Sequence, residues 1–247
     1  MAIATSGANS MADFAEQINP STLSEVRRSE FRHAARVHRS FLASVEARAL
    51  VWMAMRMPGW VNSDHLTVLG FAAQIATGIF YALAARDRRM LLAAIVCLAV
   101  NWFGDSLDGT LARVRNRQRP RYGFYVDHMI DSFGAVAMMG GLALSGYMHP
   151  AIAMGLLVAF LLLSIQSYLA SYTLGEFQLS FWRFGPTELR ILLAIGNLAL
   201  LRWAWVIHGR YRLFDIGGAV GLAGMTLMAI VFSVKNTVRL YREERLV

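Results

Sequence analysis

Four aspartates between residues 105 and 131 are the side chains of this chain best placed to do chemistry. Asp105 and Asp108 are three residues apart, and Asp127 and Asp131 are four apart. On an α-helix, either spacing puts both members of a pair on one face. A short link rich in arginine joins the two pairs. The simplest interpretation is a helical hairpin in which the two carboxylate pairs face each other.

The segments that flank these acids are apolar enough for a lipid bilayer. The sequence before Asp105 reads MLLAAIVCLAVNWFG, and the sequence after Asp131 reads SFGAVAMMGGLALSGY. Ionisable groups in membrane spans are costly and usually mark a functional site. Four converging carboxylates could not all stay ionised without a cation, and their oxygens suit Mg²⁺ or Mn²⁺ better than zinc. We expect two such ions, about 3.5–4 Å apart, which would form a clamp for phosphoryl-type displacement.

The acids belong to a longer pattern that also includes small residues and an arginine. It reads D-x-x-D-G-x-x-A-R, then nine residues, then G-x-x-x-D-x-x-x-D. This compound pattern resembles the signature of the class I CDP-alcohol phosphotransferases, also called CDP-alcohol phosphatidyltransferases, the membrane enzymes of phospholipid head-group synthesis. All eight signature positions are present: Asp105, Asp108, Gly109, Ala112, Arg113, Gly123, Asp127 and Asp131.

The resemblance implies both a reaction and roles for the acids. An acceptor hydroxyl would attack the β-phosphorus of a CDP-linked donor and release CMP. In the family, the positions of Asp105, Asp108 and Asp127 bind metal. The position of Asp131 is the general base for the alcohol, which requires hydrogen-bond reach of the acceptor hydroxyl, and it also contacts a metal. The donor implied is CDP-diacylglycerol, so that the enzyme would be a phosphatidyltransferase.

Substrate contacts are implied as well. The positions that cradle the nucleotide in the family are here Gly109, Ala112, Arg113 and Gly123, and the glycines allow close backbone approach. A polar Asn/Asp-x-x-Thr stretch before the first span helps to hold the donor, which indicates Thr67. Asp64 in that stretch serves equally well as a helix N-cap. Pro120 departs from the family, because many relatives carry Ser or Thr there and proline offers no hydroxyl.

Composition identifies the class of protein independently of the motif. The chain is 56% hydrophobic and only 16% charged, whereas soluble domains carry about 25% charged residues. The net charge of +8 is explained by the positive-inside bias and anionic lipid better than by nucleic acid. Membrane lipids are therefore expected partners, and nucleic acid is not.

The expected fold is an all-α integral membrane protein of six transmembrane helices after an N-terminal amphipathic interfacial helix. Residues 1–60 form a disordered start and this cytoplasmic helix, residues 61–240 the catalytic domain, and residues 241–247 a cytoplasmic tail. The amphipathic helix begins at a Thr22/Glu25 capping box and ends near Met57. The six spans are expected at about 66–85, 90–113, from 123 onwards, 151–172, 189–206 and 216–234.

Charge asymmetry predicts the orientation of these spans. With six spans, 18 basic residues fall on the side of the termini and 6 on the other. The positive-inside rule then puts both termini and the active site in the cytoplasm of a bacterial-type inner or cell membrane. The family resemblance also implies a homodimer.

Three residues near the motif have open roles, and two other functions compete with the leading hypothesis. We expect His128 to be a packing residue, since it points about 100° away from the acids. Glu188 and Arg190 either bind an acceptor phosphate or anionic lipid, or mark a helix start and the membrane edge.

One rival function uses a small CDP-alcohol donor and a lipid acceptor. The other is a divalent-cation transporter, although the acids cluster at one end of the spans.

Overall fold

The structure, a computed structural model, describes residues 35–36, 43–177, 185–203, 205–206 and 210–245. Within these ranges the chain is mostly helical, and seven α-helices follow one another: α1 (Ala43–Arg56), α2 (Ser63–Ala84), α3 (Met90–Val114), α4 (Pro120–Leu144), α5 (Pro150–Leu174), α6 (Pro186–Leu200) and α7 (Leu213–Glu243). The acid pairs fall on two of these helices, with Asp105 and Asp108 on α3 and Asp127 and Asp131 on α4.

In the same described ranges, four two-residue strands accompany the helices. Strand β1 (Ala35–Arg36) pairs in parallel with β2 (Glu176–Phe177), and β3 (Trp205–Val206) pairs antiparallel with β4 (Tyr211–Arg212). The all-α class expected from the sequence is confirmed, because each of these strands is only two residues long. The small strand pairs connect helix ends and form no sheet core.

Helix α2 is the centre of the bundle. It packs against both α3 and α4, and among the described residues α3 and α4 make at most slight contact with each other. The acid-bearing helices thus do not form a directly packed hairpin, as the sequence had suggested. They lie side by side on a shared third helix, because α2 offers each of them a face of small residues.

Glycines allow these close helix contacts. A Cβ on Gly104 of α3 would lie 2.6 Å from both the Gly70 nitrogen and the Leu66 carbonyl oxygen of α2. A Cβ on Gly141 of α4 would collide with the Gly78 carbonyl group of α2. Since real Cβ atoms do not approach so closely, only glycine permits the observed backbone separation at these two crossings.

The remaining helices cover this centre. Helix α1 packs on α3, α6 on α3, α5 on α4, and α7 on α5. One apolar cluster joins α1 to the start of α2 and the end of α3, and includes Leu50, Leu66 and Leu107. A second apolar cluster lies at the other end of the bundle, around Tyr81 of α2 and Leu91 of α3.

The N-terminal prediction is only partly met. A helix is present, but in the described residues it occupies Ala43–Arg56, and Ala35–Arg36 form an extended strand instead of continuing the helix. The Thr22/Glu25 capping box lies outside the described residues. The expectation of one unbroken helix as far as Met57 is therefore wrong at β1, where backbone pairing with β2 replaces helical hydrogen bonds.

The membrane character of the chain is clear, although not every helix has the form of a simple span. Four described helices are long and apolar enough to cross a bilayer: α2, α3, α5 and α7. Many apolar side chains on them face outward, including Val96, Leu162 and Leu227. Such a surface is stable only in lipid or against another protein. The chain is a helical membrane protein.

The other two predicted spans differ from this description. Helix α6 has 15 residues and ends at Leu200, short of the expected Val206, which lies in β3. At 1.5 Å per residue α6 is about 22 Å long, less than the roughly 30 Å of a hydrocarbon core. Helix α4 has 25 residues but carries the acids Asp127 and Asp131.

The glycine contacts yield a test of this architecture. Gly141→Ala is expected to lower stability by about 1–3 kcal/mol, because the added methyl group must push α4 away from α2. Gly140→Ala is the matched control, since a Cβ there meets nothing within 4 Å. Thermal unfolding of both variants in detergent checks this, and equal melting temperatures for the two would contradict the packing.

Candidate active site

The structure brings all four aspartates to one pocket. Asp105 and Asp108 of α3 and Asp127 and Asp131 of α4 line one cleft, which is partly open to the outside. Helix α2 supplies the wall between them, with the polar side chains of Thr67 and Gln74. The two acid pairs thus share one cavity, although the helices that carry them are separated by α2.

Glycine packing explains why the acids meet. Gly104, at its close crossing with α2, immediately precedes Asp105, so the carboxylate leaves α3 beside the α2 backbone. Gly134, one turn after Asp131, presses on the Gln74 side chain so closely that any Cβ would collide with it. Each acid pair therefore lies close to a contact with α2, which is a backbone contact at Gly104 and a contact with the Gln74 side chain at Gly134.

The first acid pair is held by donors from two other helices. The Arg190 guanidinium of α6 donates to Asp105 Oδ2 at 2.6 Å. The Thr67 hydroxyl of α2 donates to Asp108 Oδ2 at 2.6 Å. The Asp108 Oδ1 atom also accepts from the backbone N–H of Gly109. Both carboxylates are thus oriented by the protein before any ligand enters.

The second acid pair lies on α4, across the cleft from the first. Asp127 lies 3.7 Å from His128 Nδ1 and is about a third exposed. Asp131 is partly buried and interacts electrostatically with Asp105, Asp127 and Arg190. The carboxylate expected to act as a base therefore lies where the charges of the whole cluster meet.

His128 is not among the residues that line the cleft, and its ring packs among aromatic rings. The ring stacks on Phe124 at 4.2 Å between centroids and meets the edge of Tyr168 at 4.8 Å. Its Nδ1 atom is 2.6 Å from the Phe124 carbonyl oxygen. The packing role expected for His128 agrees with this geometry.

Arg190 and two unpredicted residues complete the site. Asn101 Oδ1 accepts from Arg190 Nε at 2.8 Å, while Asn101 Nδ2 donates to the Gly70 carbonyl oxygen at 3.0 Å. Glu46 of α1 accepts hydrogen bonds from Trp102 Nε1 and from the Thr187 hydroxyl, each at 2.8 Å. Asn101 had a sequence signal, because it is a polar residue one turn before Asp105 in an apolar run. Glu46 had none, since it lies far from the motif.

The remaining signature positions lie beside the cleft, outside its lining residues. Gly123 faces open space, since a Cβ there would meet nothing within 4 Å. A Cβ on Gly109 would make an ordinary contact, 3.5 Å from the Arg113 guanidinium. Arg113 is exposed and donates to the Thr110 hydroxyl at 2.9 Å, and Ala112 is half-buried. This edge of the site has room for a ligand.

An ion pair links the N-terminal end of α2 to the segment that precedes α4. Asn62, and not Asp64, is the N-cap of α2, because its side chain accepts from the His65 N–H. Asp64 is instead ion-paired with Arg119, in the link between α3 and α4. Pro120 is at the first turn of α4, where its missing N–H costs nothing. The departure from the family pattern at Pro120 thus has a structural role as a helix start.

Glu188 has a similar local role. Its Oε2 atom accepts a hydrogen bond from the Gly185 backbone N–H at 2.9 Å, which closes the first turn of α6. Of the two residues left open by the sequence, Glu188 therefore marks a helix start, and only Arg190 reaches the acids.

The chemistry of the donors fits a hard divalent cation. Four carboxylates and a hydroxyl line the cleft, and oxygen ligands of this kind suit Mg²⁺ or Mn²⁺. In the described part of the chain, no three His, Cys, Asp or Glu side chains are already arranged around one ion position. The contacts of Asp105 with Arg190 and of Asp108 with Thr67 account for this, because both carboxylates are turned toward protein partners.

Comparisons with known proteins agree on one family. The model of the CDP-alcohol phosphatidyltransferase family matches residues 60–234, which include every signature position and α2 to α6. Archaetidylinositol phosphate synthase of Pyrococcus horikoshii is 32% identical over 113 residues, which cover 46% of this chain and 53% of that protein. The chain thus spans about half the length of the curated relative it matches.

The contact between Thr67 and Asp108 can be tested by stability. The Thr67 hydroxyl has one hydrogen, and its 2.6 Å contact with the carboxylate is shorter than its 3.0 Å contact with the Ser63 carbonyl. Thr67→Val should cost about 1–3 kcal/mol, since a half-buried carboxylate loses a donor. Thr67→Ser keeps the hydroxyl and should cost less. Equal melting temperatures in detergent for the two variants would show that the hydroxyl does not support Asp108.

Proposed function

The chain belongs to the CDP-alcohol phosphatidyltransferase family, and from that membership we propose that it transfers a substituted phosphate group from a CDP-linked donor to an alcohol. CMP is the other product, and phospholipid biosynthesis is the setting. The observation that carries the proposal is the convergence of Asp105, Asp108, Asp127 and Asp131 on one cleft within a bundle of membrane helices.

Membrane burial gives this convergence its weight. Each carboxylate in an apolar bundle costs free energy, and neighbouring carboxylates repel one another. A structural role would need far fewer acids, whereas a site for a polyanionic phosphate substrate needs several ligands for its counter-cations. The four acids are therefore best explained as ligands of Mg²⁺ or Mn²⁺. The ions, two in this proposal, would neutralise the pyrophosphate and the charge that develops on the leaving CMP.

The residues of the chain then have separate tasks. Asp105, Asp108 and Asp127, with a contact from Asp131, would hold the ions. Thr67 orients Asp108, and the open edge beside Gly109, Ala112, Arg113 and Gly123 would receive the nucleotide. A guanidinium such as that of Arg113 suits a phosphate oxygen.

Proton transfer falls to Asp131. As the acceptor hydroxyl attacks, a bond forms between its oxygen and the β-phosphorus, and the bond from that phosphorus to the CMP oxygen breaks. The hydroxyl proton passes to an Asp131 carboxylate oxygen.

The donor and acceptor are proposed at different levels of detail. For the donor we propose CDP-diacylglycerol, because the lipid-facing helices beside the cleft would accommodate its acyl chains and the family description is that of a phosphatidyltransferase. For the acceptor, the name of the Pyrococcus relative makes an inositol phosphate the first alcohol to test.

The proposal includes the arrangement in the membrane. We propose that α2 to α7 are six crossings, with the termini and the cleft on the cytoplasmic side, and that the protein is a homodimer. The arginines between α3 and α4 support the orientation through the positive-inside rule. The cytoplasmic face is also where CDP-linked substrates and Mg²⁺ are available.

Loss of the base is the direct test of the chemistry. Asp131→Asn should lower the rate of CMP release by about a hundredfold or more, because general-base catalysis contributes 10²–10⁴-fold. The measurement is CMP released from CDP-diacylglycerol, Mg²⁺ and a panel of alcohols by the purified protein in detergent. Asp87→Asn, in the exposed turn between α2 and α3, is the control and should keep the parent rate.

The same assay separates the competing functions. Release of CMP that depends on Asp131 supports the transferase. Flux of Mn²⁺ into proteoliposomes without CMP release from any alcohol would instead support a cation transporter and overturn the proposal.

Membrane orientation has its own test. In a Cys97→Ser background, Gln118→Cys in the link between α3 and α4 should react with an impermeant maleimide only after the cytoplasmic side is exposed. Asp87→Cys should react from the outside of intact cells, because α3 separates the two positions. Labelling of both cysteines from the same side would contradict the topology.

A further inference from the structure

An arginine that no signature position accounts for is paired with one of the acids that line the cleft. Arg190 lies on α6, 59 residues beyond the last acid in sequence, yet its guanidinium is paired with Asp105. We propose that Arg190 is a built-in counter-cation of the acid cluster, which competes with the divalent ions for Asp105 and thereby weakens their binding. This inference rests on the metal site of the proposed function and gives Arg190 a role in setting its affinity for metal.

The ion pair is held in a defined geometry. One guanidinium nitrogen donates to Asp105 Oδ2 at 2.6 Å, while Arg190 Nε donates to Asn101 Oδ1 at 2.8 Å. Asn101 is only 5% exposed and is itself bound to the Gly70 carbonyl oxygen of α2. The Arg190 side chain is 15% exposed, so water screens its charge only weakly. The hydrogen bond to the buried Asn101 side chain therefore orients the Arg190 guanidinium toward Asp105.

A second set of hydrogen bonds connects α3 and α6 near the ion pair. Glu46 of α1 accepts hydrogen bonds from Trp102 of α3 and from Thr187 of α6. Trp102 precedes Asp105 by three residues, and Thr187 precedes Arg190 by three. Glu46 thus links α3 to α6 within one turn of each member of the ion pair.

The charges decide the consequence. Without ions, Arg190 offsets part of the repulsion among four carboxylates, which stabilises the bundle. When a divalent ion approaches Asp105, the guanidinium occupies one of its oxygens and repels the ion. A neutral side chain at position 190 should therefore leave the metal-free protein less stable and bind the ion more tightly. A residue that merely orients Asp105 would have the opposite effect on affinity, because losing an orienting partner weakens metal binding.

The test measures metal affinity directly. Full-length protein in detergent is titrated with Mn²⁺, and free Mn²⁺ is followed by its electron paramagnetic resonance signal. Arg190→Gln should lower the Kd for Mn²⁺ by about tenfold. It should also lower the melting temperature without metal and enlarge the rise in melting temperature on adding Mn²⁺. Arg190→Met is a second neutral variant, which keeps the test available where Arg190→Gln does not fold.

Two controls separate charge from shape. Arg190→Lys retains the charge without the fork of the guanidinium and should keep the Kd within a few-fold of the parent value. Arg88→Gln removes the same charge before α3, at least about 22 Å from Asp105 by helical rise, and should not change the Kd.

The outcomes are distinct. A neutral variant with an unchanged or higher Kd overturns the competition by Arg190 but leaves the proposed metal site intact. A parent protein that binds no Mn²⁺ overturns the metal site itself, and with it the present inference.

Discussion

Electrostatic repulsion among four carboxylates in an apolar bundle explains why the other polar contacts of this site are needed. Charges are costly inside membrane helices, and acids that share a cleft raise that cost further. The protein supplies partial compensation from three directions: the Arg190 guanidinium, the Thr67 hydroxyl and the Gly109 backbone N–H. The cluster is therefore tolerated rather than neutralised, which is what a site for hard cations and a pyrophosphate requires.

Helix α2 positions the two acid pairs around one cleft. Two long helices that carried acids on facing surfaces would bring the carboxylates into direct contact if they packed on each other. Instead, α3 and α4 each pack on α2 through glycines, at Gly104 and Gly141. The cleft lies between the acid pairs, and α2 contributes its own polar side chains to the wall. The close backbone contacts at these two glycines fix the positions of α3 and α4 on α2.

Helices outside the family signature also shape the site. Helix α1 reaches α3 and α6 through Glu46, and α6 delivers Arg190 to Asp105. The hydrogen bonds of Asn101 connect the same arginine to the α2 backbone. The short motif thus depends on a polar network that spans four helices. In an apolar environment such hydrogen bonds cannot easily be exchanged for water, and this is why they can hold the geometry.

The sequence alone determined the chemical content of this protein. Spacing placed each acid pair on one helical face, composition indicated a helical membrane protein, and the compound motif indicated the family, which the match over residues 60–234 bears out. The start of α3 was also predictable, because an apolar run leads without interruption into the motif.

Contacts between distant segments were decided only by the tertiary structure. Four features depend on such contacts. They are the packing of α3 and α4 on α2, the strand at Ala35–Arg36, the early end of α6 at Leu200, and the pairing of Arg190 with Asp105. Periodicity reports which face of a helix is apolar or polar, but not which neighbour that face meets. Here the neighbours were chosen by the fit of glycine against backbone and of donor against carboxylate, and both are properties of the assembled bundle.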